Sequence, residues 1–474
     1  MKFKLKTEPW EHQLKALEFL SRLDAGALYT DMGTGKTKVI IDLINNKPEV
    51  KTILIVCPNK IVEDNLWQNE FIKHSFDQAI LIPELRNLST SERFRVIKES
   101  QAEVKLSNQK LVIVINYESV WREPLKKYLL SKKGNIDMVV CDESHRIKSP
   151  SSKCSGFLTT LGRRVKYRYL VTGTPMANSP LDIYAQYRFL DPTIFGTRLN
   201  EFKDQYSNYI KRDGYCVPDK KTPYKNLEEL HDKMFSVAFL QKSKVKLPKT
   251  RTEVVNFTLS ERGEDYYRTI RKDSCILLKE GYVEATNILA LMTRLQQICS
   301  GYIKLTEESK EQKEVQVDKN RMKACYKILK QIPKDEPVVI FAKYRKDLKN
   351  LTTICARAER SVAEVSGRLN ELAEWKLGHK NVLIAQIQSG AEGLDLTRAC
   401  YCIYYSLHHS LTLYRQSRKR VHRPGQTRRV RYYLLCAQIA PKKGKHLSSI
   451  DEQIIEALKN KQNVIQNIMS THEI

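Results

Sequence analysis

Short apolar runs recur along this chain, separated by helix-like sequence. The first set is TILIVCP (52–58), LVIVINY (111–117), MVVC (138–141) and YRYLVTGTP (167–175). A second set follows as PVVIFAKY (337–344), NVLIAQI (381–387), ACYCIYY (399–405) and RRVRYYLL (428–435). Runs this short and apolar, alternating with amphipathic stretches, argue for parallel strands with helices on both faces. At 474 residues the chain exceeds one core, and two domains of about 200 residues each are expected. The predicted class is therefore α/β, with two parallel-sheet lobes.

Boundaries follow from where the alternation lapses. The first lobe is predicted over 1–240, with 180–240 as an irregular, charged and aromatic helical insertion exemplified by FKDQYSNYIKRDGY. An interlobe region is expected over 241–335. Within it 258–305 reads as helical, including EATNILALMTRLQQICSGYI, and 306–320 reads as a loop because EESKEQKEVQVDKN is nearly devoid of large apolar residues. The second lobe is predicted over 336–440. A helix over 441–474 packs back on a lobe, with Ser448 or Ser449 as its cap and acids in its first turn.

Composition narrows the setting. The chain is 41% apolar and has no uninterrupted apolar run long enough to cross a bilayer. Its start, MKFKLKTEPW, has charge without an apolar core behind it, so no secretory leader and no membrane partner are expected, and a cytoplasmic location is favoured. Eleven cysteines are scattered without a C-x-x-C pair, which predicts reduced structural thiols and no zinc site. The net charge of +27 costs self-repulsion unless a polyanion offsets it, so nucleic acid is the expected partner; a lysine surplus for solubility is the alternative for part of the excess.

Two strings carry chemistry. In DMGTGKT (31–37) the glycines Gly33 and Gly35 let the main chain turn tightly and aim N–H groups, with that of Thr34, at phosphate oxygens. Lys36 and Thr37 then open a helix: Lys36 would pair with the β/γ-phosphates and the Thr37 hydroxyl would ligate Mg²⁺. The general pattern asks for glycine at position 30, where this chain has Thr30, and a bare glycine turn can equally be a strand-to-helix connection. The second string answers that alternative. IDMVVC (136–141) reads as a buried strand that delivers Asp142 and Glu143 at its carboxyl end, where parallel sheets bind ligands. Asp142 suits Mg²⁺ and Glu143 suits the attacking water, although Asp-Glu after a strand can also be a solvated helix start.

With those residues in place, the chain resembles the Swi/Snf family of helicase superfamily two from about residue 8 to 465. PWEHQLKALEFL resembles the family's opening motif, IVCPNKIVEDNLWQNEF and INYESV its next two, VVCDESHRIKSP its Walker B string, and LVTGTPMANSP its coupling motif. In the second half VVIFAKYR resembles motif four, SGAEGLDLTRA (389–399) motif five, and QSRKRVHRPGQ (416–426) the spacing in which Gln416, Arg420, Arg423, Gly425 and Gln426 fall on the family's marks. SLHHSLTLY stands where many members carry a tryptophan-containing string. The resemblance implies two RecA-like lobes, ATP and Mg²⁺ as cofactors, and a small motor of bacterial or phage type.

Residue roles follow from the resemblance. Gln13 would read the adenine edge, and Gly393 and Asp395 would add to the nucleotide site. Arg420 and Arg423, three apart on one helix face, would reach the γ-phosphate across an interlobe cleft, the alternative being a basic surface loop or a DNA contact. His145, Thr172, Thr174 and Gln416 would couple nucleotide state to motion, although the two threonines could simply cap a turn before Pro175. Lys60, Tyr117, Lys343, Tyr344, Ser366, Gly367, Ser389 and Gly390 are the candidates for tracking the DNA backbone. The expected activity is ATP-dependent translocation on double-stranded DNA, with other DNA-bound proteins as further partners and a monomer favoured. A strand-separating helicase and an inactive DNA-binding scaffold are the alternatives.

Overall fold

A computed structural model describes residues 3–31, 33–76, 80–107, 109–212, 215–219, 222–241, 247–273, 275–278, 281–284, 288–306, 312–390, 394–441 and 447–470. The chain packs as two compact units, Met1–Lys244 with Asn463–Ile474, and Val245–Gln462.

The first unit is built on a seven-stranded sheet of β1 (Ala25–Thr30), β2 (Thr52–Cys57), β3 (Ile80–Leu81), β4 (Lys110–Asn116), β5 (Met138–Asp142), β6 (Tyr167–Val171) and a late edge strand. A hairpin, β7 (Tyr209–Arg212) and β8 (Tyr215–Pro218), precedes that edge strand, β9 (Ala238–Gln241). The order is β3-β4-β2-β5-β6-β1-β9, and every pair in the sheet is parallel. All six residues of β2 are buried, as a strand covered by helices on both faces requires. Each fully buried aliphatic such as Ile53 or Ile55 contributes about 1.5–3 kcal/mol.

Register decides what the sheet presents. Leu28 of β1 lies opposite Val171 of β6, and Asp142 of β5 lies opposite the same Val171. The segments that follow β1, β5 and β6 therefore leave the sheet side by side at its carboxyl edge. Helix Lys36–Asn45 continues the first of them and buries Val39, Ile40, Ile41, Leu43 and Ile44 on the sheet. Helix Leu66–His74 covers the same core with Trp67 and Phe71, four residues apart on one helix face.

The second unit carries a six-stranded sheet of β10 (Thr250–Thr258), β15 (Val338–Ala342), β16 (Val362–Val365), β17 (Val382–Gln386), β18 (Tyr401–Tyr404) and β19 (Val430–Gln438). Its order is β10-β19-β18-β15-β17-β16, again all parallel. A separate antiparallel sheet joins β11 (Cys275–Leu278), β12 (Gly281–Glu284), β13 (Tyr302–Thr306) and β14 (Gln312–Gln316). Ser449 caps the final helix, Ile450–Ser470: its hydroxyl accepts from Glu452 N at 3.1 Å while the Glu452 carboxylate accepts from Ser449 N at 2.7 Å.

Each of the eight predicted runs carries a strand, and the expected α/β architecture with two parallel-sheet lobes holds. Three readings need correction. The stretch 258–305 is not continuously helical: helices Glu261–Asp273 and Ile288–Cys299 flank the β11–β12 hairpin, and β13 follows. The expected loop over 306–320 contains β14, which pairs with β13 through five residue pairs and a Lys304–Glu314 ion pair at 3.5 Å. Antiparallel pairing with the neighbouring β13 overrides the low local hydrophobicity there. The 180–240 insertion is mainly helical, yet it also holds the β7–β8 hairpin, and β9 completes the first sheet beside β1.

Candidate nucleotide site

The turn after β1 takes the form that its glycines permit. Gly33 has φ +80° and Gly35 has φ +77°, left-handed values that a side chain resists. A Cβ on Gly35 would also lie 2.1 Å from the Gln13 amide nitrogen. Thr30 fits in place of the expected glycine because it still belongs to β1; its hydroxyl meets that of Thr34 at 2.8 Å, and Thr34 donates to the Asp31 carbonyl at 2.7 Å. Lys36, the first residue of its helix, donates through Nζ to the carbonyls of Thr30 and Asp31 at 2.9 and 3.0 Å. The ammonium is thus folded over the turn's own carbonyls, the position from which it can exchange to a phosphate. Thr37 follows on the same first turn, half-buried.

Gln13 braces this turn from helix Glu11–Ser21. Its amide donates to the Thr34 carbonyl at 3.1 Å and accepts from Trp10 N at 2.8 Å, with His12 also at 2.9 Å from the Thr34 carbonyl. The side chain is buried, and both ends of its amide are engaged with the protein.

Beside it, β5 ends in Asp142. The Tyr117 hydroxyl donates to the Asp142 main-chain carbonyl at 2.7 Å, and the Trp67 indole N–H donates to Asp142 Oδ2 at 3.1 Å. Burial, then the charge of Glu143, push the Asp142 carboxyl up. Glu143 has φ +53°, a left-handed value costing on the order of 1–3 kcal/mol for a residue with a side chain. Its carboxylate compensates by accepting from the Thr172 hydroxyl at 3.0 Å and lying 3.3 Å from His145 Nδ1. Burial alone would raise Glu143, but His145, the Lys36 charge and Thr172 outweigh it and hold the group ionised. The positive charge of Lys36 acts on both carboxylates.

The Thr172 hydroxyl caps the turn by accepting from Thr174 N at 3.1 Å while donating to Glu143. His145 lies 3.3 Å from the Thr172 hydroxyl and 3.5 Å from that of Thr174. Gln186, fully buried on helix Ile183–Leu190, ties the two segments from behind. It accepts from the Ser144 hydroxyl at 2.8 Å and donates to the carbonyls of Pro175 and Asp182 at 2.7 and 2.9 Å. Lys36, Asp142, Glu143, His145, Thr172 and Thr174 are therefore brought together within one unit. A buried, uplifted carboxylate with an oxygen-donor threonine on the neighbouring turn is a hard-ligand set that fits Mg²⁺.

The remaining candidates are more dispersed. Tyr117 is buried under the end of β5, engaged with Asp142. Lys60 is half-exposed, 3.8 Å from Asp64. In the second unit, Lys343 and Tyr344 both converge on Gln296 Oε1, at 2.6 and 3.0 Å, and burial lowers Lys343 to about 8. Ser366 donates to Glu364 at 2.6 Å, with Gly367 exposed beside it. Ser389 and Gly390 fall in the short helix Ile387–Gly390, and Gly393 lies outside the described residues. Asp395 accepts from the Thr397 backbone and hydroxyl at 3.0 and 2.8 Å.

One geometric expectation fails in the arginine string. Helix Leu411–Val421 carries buried Gln416 and, near its end, Arg420, but it stops before Arg423. Pro424 disfavours helical backbone at the residue before it, so the two arginines do not share a helix face. Arg423 instead donates to the Leu394 carbonyl at 3.5 Å and, with its charge, helps hold Asp395 down. Gln426 staples the segment through the carbonyls of Ala399, Thr397 and Val421.

Sequence reasoning does not single out Trp67 or Gln186. The signal for the first is an aromatic with a polar tip inside an otherwise apolar helix face; for the second, a glutamine among the core positions of IYAQYRFL.

A family model described as SNF2-related domain matches residues 12–302, and one described as helicase conserved C-terminal domain matches 320–425. An uncharacterised ATP-dependent helicase of Mycoplasma genitalium is 23% identical, over 97% of this chain and 42% of that protein. The ISWI chromatin-remodeling complex ATPase ISW2 of Saccharomyces cerevisiae is 24% identical, over 95% of this chain and 40% of its own. DNA repair and recombination protein RAD54B of Homo sapiens is 24% identical, over 94% and 55%. This chain thus spans about half or less of these relatives' length. The solved SWI2/SNF2 ATPase core of Sulfolobus solfataricus in complex with dsDNA is 19% identical, covering 99% of this chain and 95% of that one at a TM-score of 0.43.

Proposed function

The chain belongs to the SNF2-related family, and on that premise we propose that it hydrolyses ATP in response to double-stranded DNA and translocates along it. The observation that carries this reading is the bonded set at the carboxyl edge of the first sheet: Lys36 over its turn, and Glu143 held by Thr172 and His145 beside Asp142. That arrangement supplies what phosphoryl transfer needs, namely a cation for the phosphates, an ionised base and a metal-ligand carboxylate.

ATP would draw Lys36 from the Thr30 and Asp31 carbonyls onto its β/γ-phosphates. Thr37 and Asp142 would hold Mg²⁺, which when bound neutralises charge on the phosphate oxygens. Glu143, ionised, would orient the attacking water and take its proton. Arg420 and Arg423 are assigned the stabilisation of charge on the transferring phosphoryl, and Gln416 and His145 its coupling to motion. Gln13 would brace the turn and read adenine, with Gly393 and Asp395 completing the nucleotide contacts.

For DNA, the net charge of +27 and relatives named for chromatin remodelling and for DNA repair support a polyanionic duplex partner. Steady-state ATPase with duplex DNA, single strands, RNA and branched DNA tests the reading. Duplex stimulation is expected, and strand displacement separates a translocase from a helicase. Stimulation by RNA alone contradicts the proposal.

A further inference from the structure

Asp142 is fixed at two points by residues outside its own strand. Tyr117 holds its main-chain carbonyl and Trp67 holds its carboxylate. Trp67 is 1% exposed and packs with Phe71 in the core beneath the sheet edge, their ring centroids 6.0 Å apart. A purely apolar ring would serve that packing. The indole N–H is the one polar atom in the ring, and a buried N–H needs an acceptor; the acceptor here is Oδ2 of the carboxylate at 3.1 Å. That bond restrains the carboxylate through one of its two oxygens.

We propose that Trp67 is a positioning residue for metal binding. Its indole N–H holds the Asp142 carboxylate through Oδ2 and would so orient the group that is to hold Mg²⁺. The inference rests on the nucleotide-site reading above. Partners of this kind, which orient a ligand without touching the metal, typically contribute about 10–100-fold in metal affinity.

The test is a binding titration rather than turnover. A fluorescent, non-hydrolysable ATP analogue is bound to the full chain in EDTA and across a Mg²⁺ series, for the unaltered protein and for Trp67→Phe. Trp67→Phe raises the half-saturating Mg²⁺ about 10–100-fold and leaves affinity in EDTA unchanged. Should the smaller ring fail to fold, the same titration on a chain with benzothienylalanine at position 67, which keeps the bicyclic shape and lacks the N–H, gives the answer. Unchanged half-saturation in a folded variant overturns the inference and leaves the nucleotide reading standing. Equal loss of affinity in EDTA and in Mg²⁺ also overturns it, because Trp67 then acts through packing. An unaltered protein that fails to bind the analogue at any Mg²⁺ concentration overturns the nucleotide reading, and this inference with it, whereas binding that is identical with and without Mg²⁺ overturns this inference alone.

Discussion

The first unit and the second share one plan, a parallel sheet under helices, yet they hold their candidate residues in opposite ways. In the first, the segments after β1, β5 and β6 emerge side by side, and hydrogen bonds between them join Glu143, His145, Thr172 and Thr174. In the second, the candidates close on separate partners: Lys343 and Tyr344 on Gln296, Ser366 on Glu364, Asp395 on Thr397, Arg423 on the Leu394 carbonyl. Groups that must act on one bond need strand register to bring them together. Groups that grip or signal can each sit in a separate pocket of bonds.

That contrast predicts a ladder of effects. The largest tests whether the second unit takes part in chemistry at all. Arg420→Ala should lower ATP turnover by about 10³–10⁵ while a fluorescent nucleotide still binds; a loss confined to affinity would make the arginine a binding group and sharpen the division between units. Glu143→Gln should lower turnover by about 10²–10⁴ with thermal melting almost unmoved, since the amide can still accept from Thr172.

Gln186→Leu tests whether the bonded set in the first unit needs its backing. The change strands the Ser144 hydroxyl and the Pro175 and Asp182 carbonyls, so urea unfolding should show a loss of about 1–3 kcal/mol. The smallest effect separates two lysines. Lys60→Met, at a half-exposed site, should reduce the salt slope of duplex binding by about one. Lys343→Met should move it less, because Lys343 is already spent on Gln296. Equal slopes would erase the distinction drawn between exposed and engaged cations.

Much of this is legible in the sequence, for identifiable reasons. Strands buried on both faces are apolar throughout, so β2, β4, β5 and β15 declare themselves, and a glycine turn followed by Lys36-Thr37 declares a phosphate-binding helix start. What stays hidden depends on pairing and packing partners that the local composition does not reveal. Residues 312–316 look like a polar loop until β13 pairs with them, and β9 reads as part of an insertion until it lies beside β1. The bonds of Tyr117 to Asp142 and of Lys343 and Tyr344 to Gln296 are likewise made by tertiary packing and have no local signal. The helix break at Arg423 is different: Pro424 announces it, and the three-residue spacing of the arginines masks it.

The most direct test of the account is ATP hydrolysis by the unaltered chain and by Lys36→Ala, measured with Mg²⁺ in the presence and absence of duplex DNA. The account predicts turnover that duplex DNA accelerates in the unaltered chain and no turnover above background in a Lys36→Ala protein with native melting behaviour. Hydrolysis by a folded Lys36→Ala protein at the unaltered rate would contradict it.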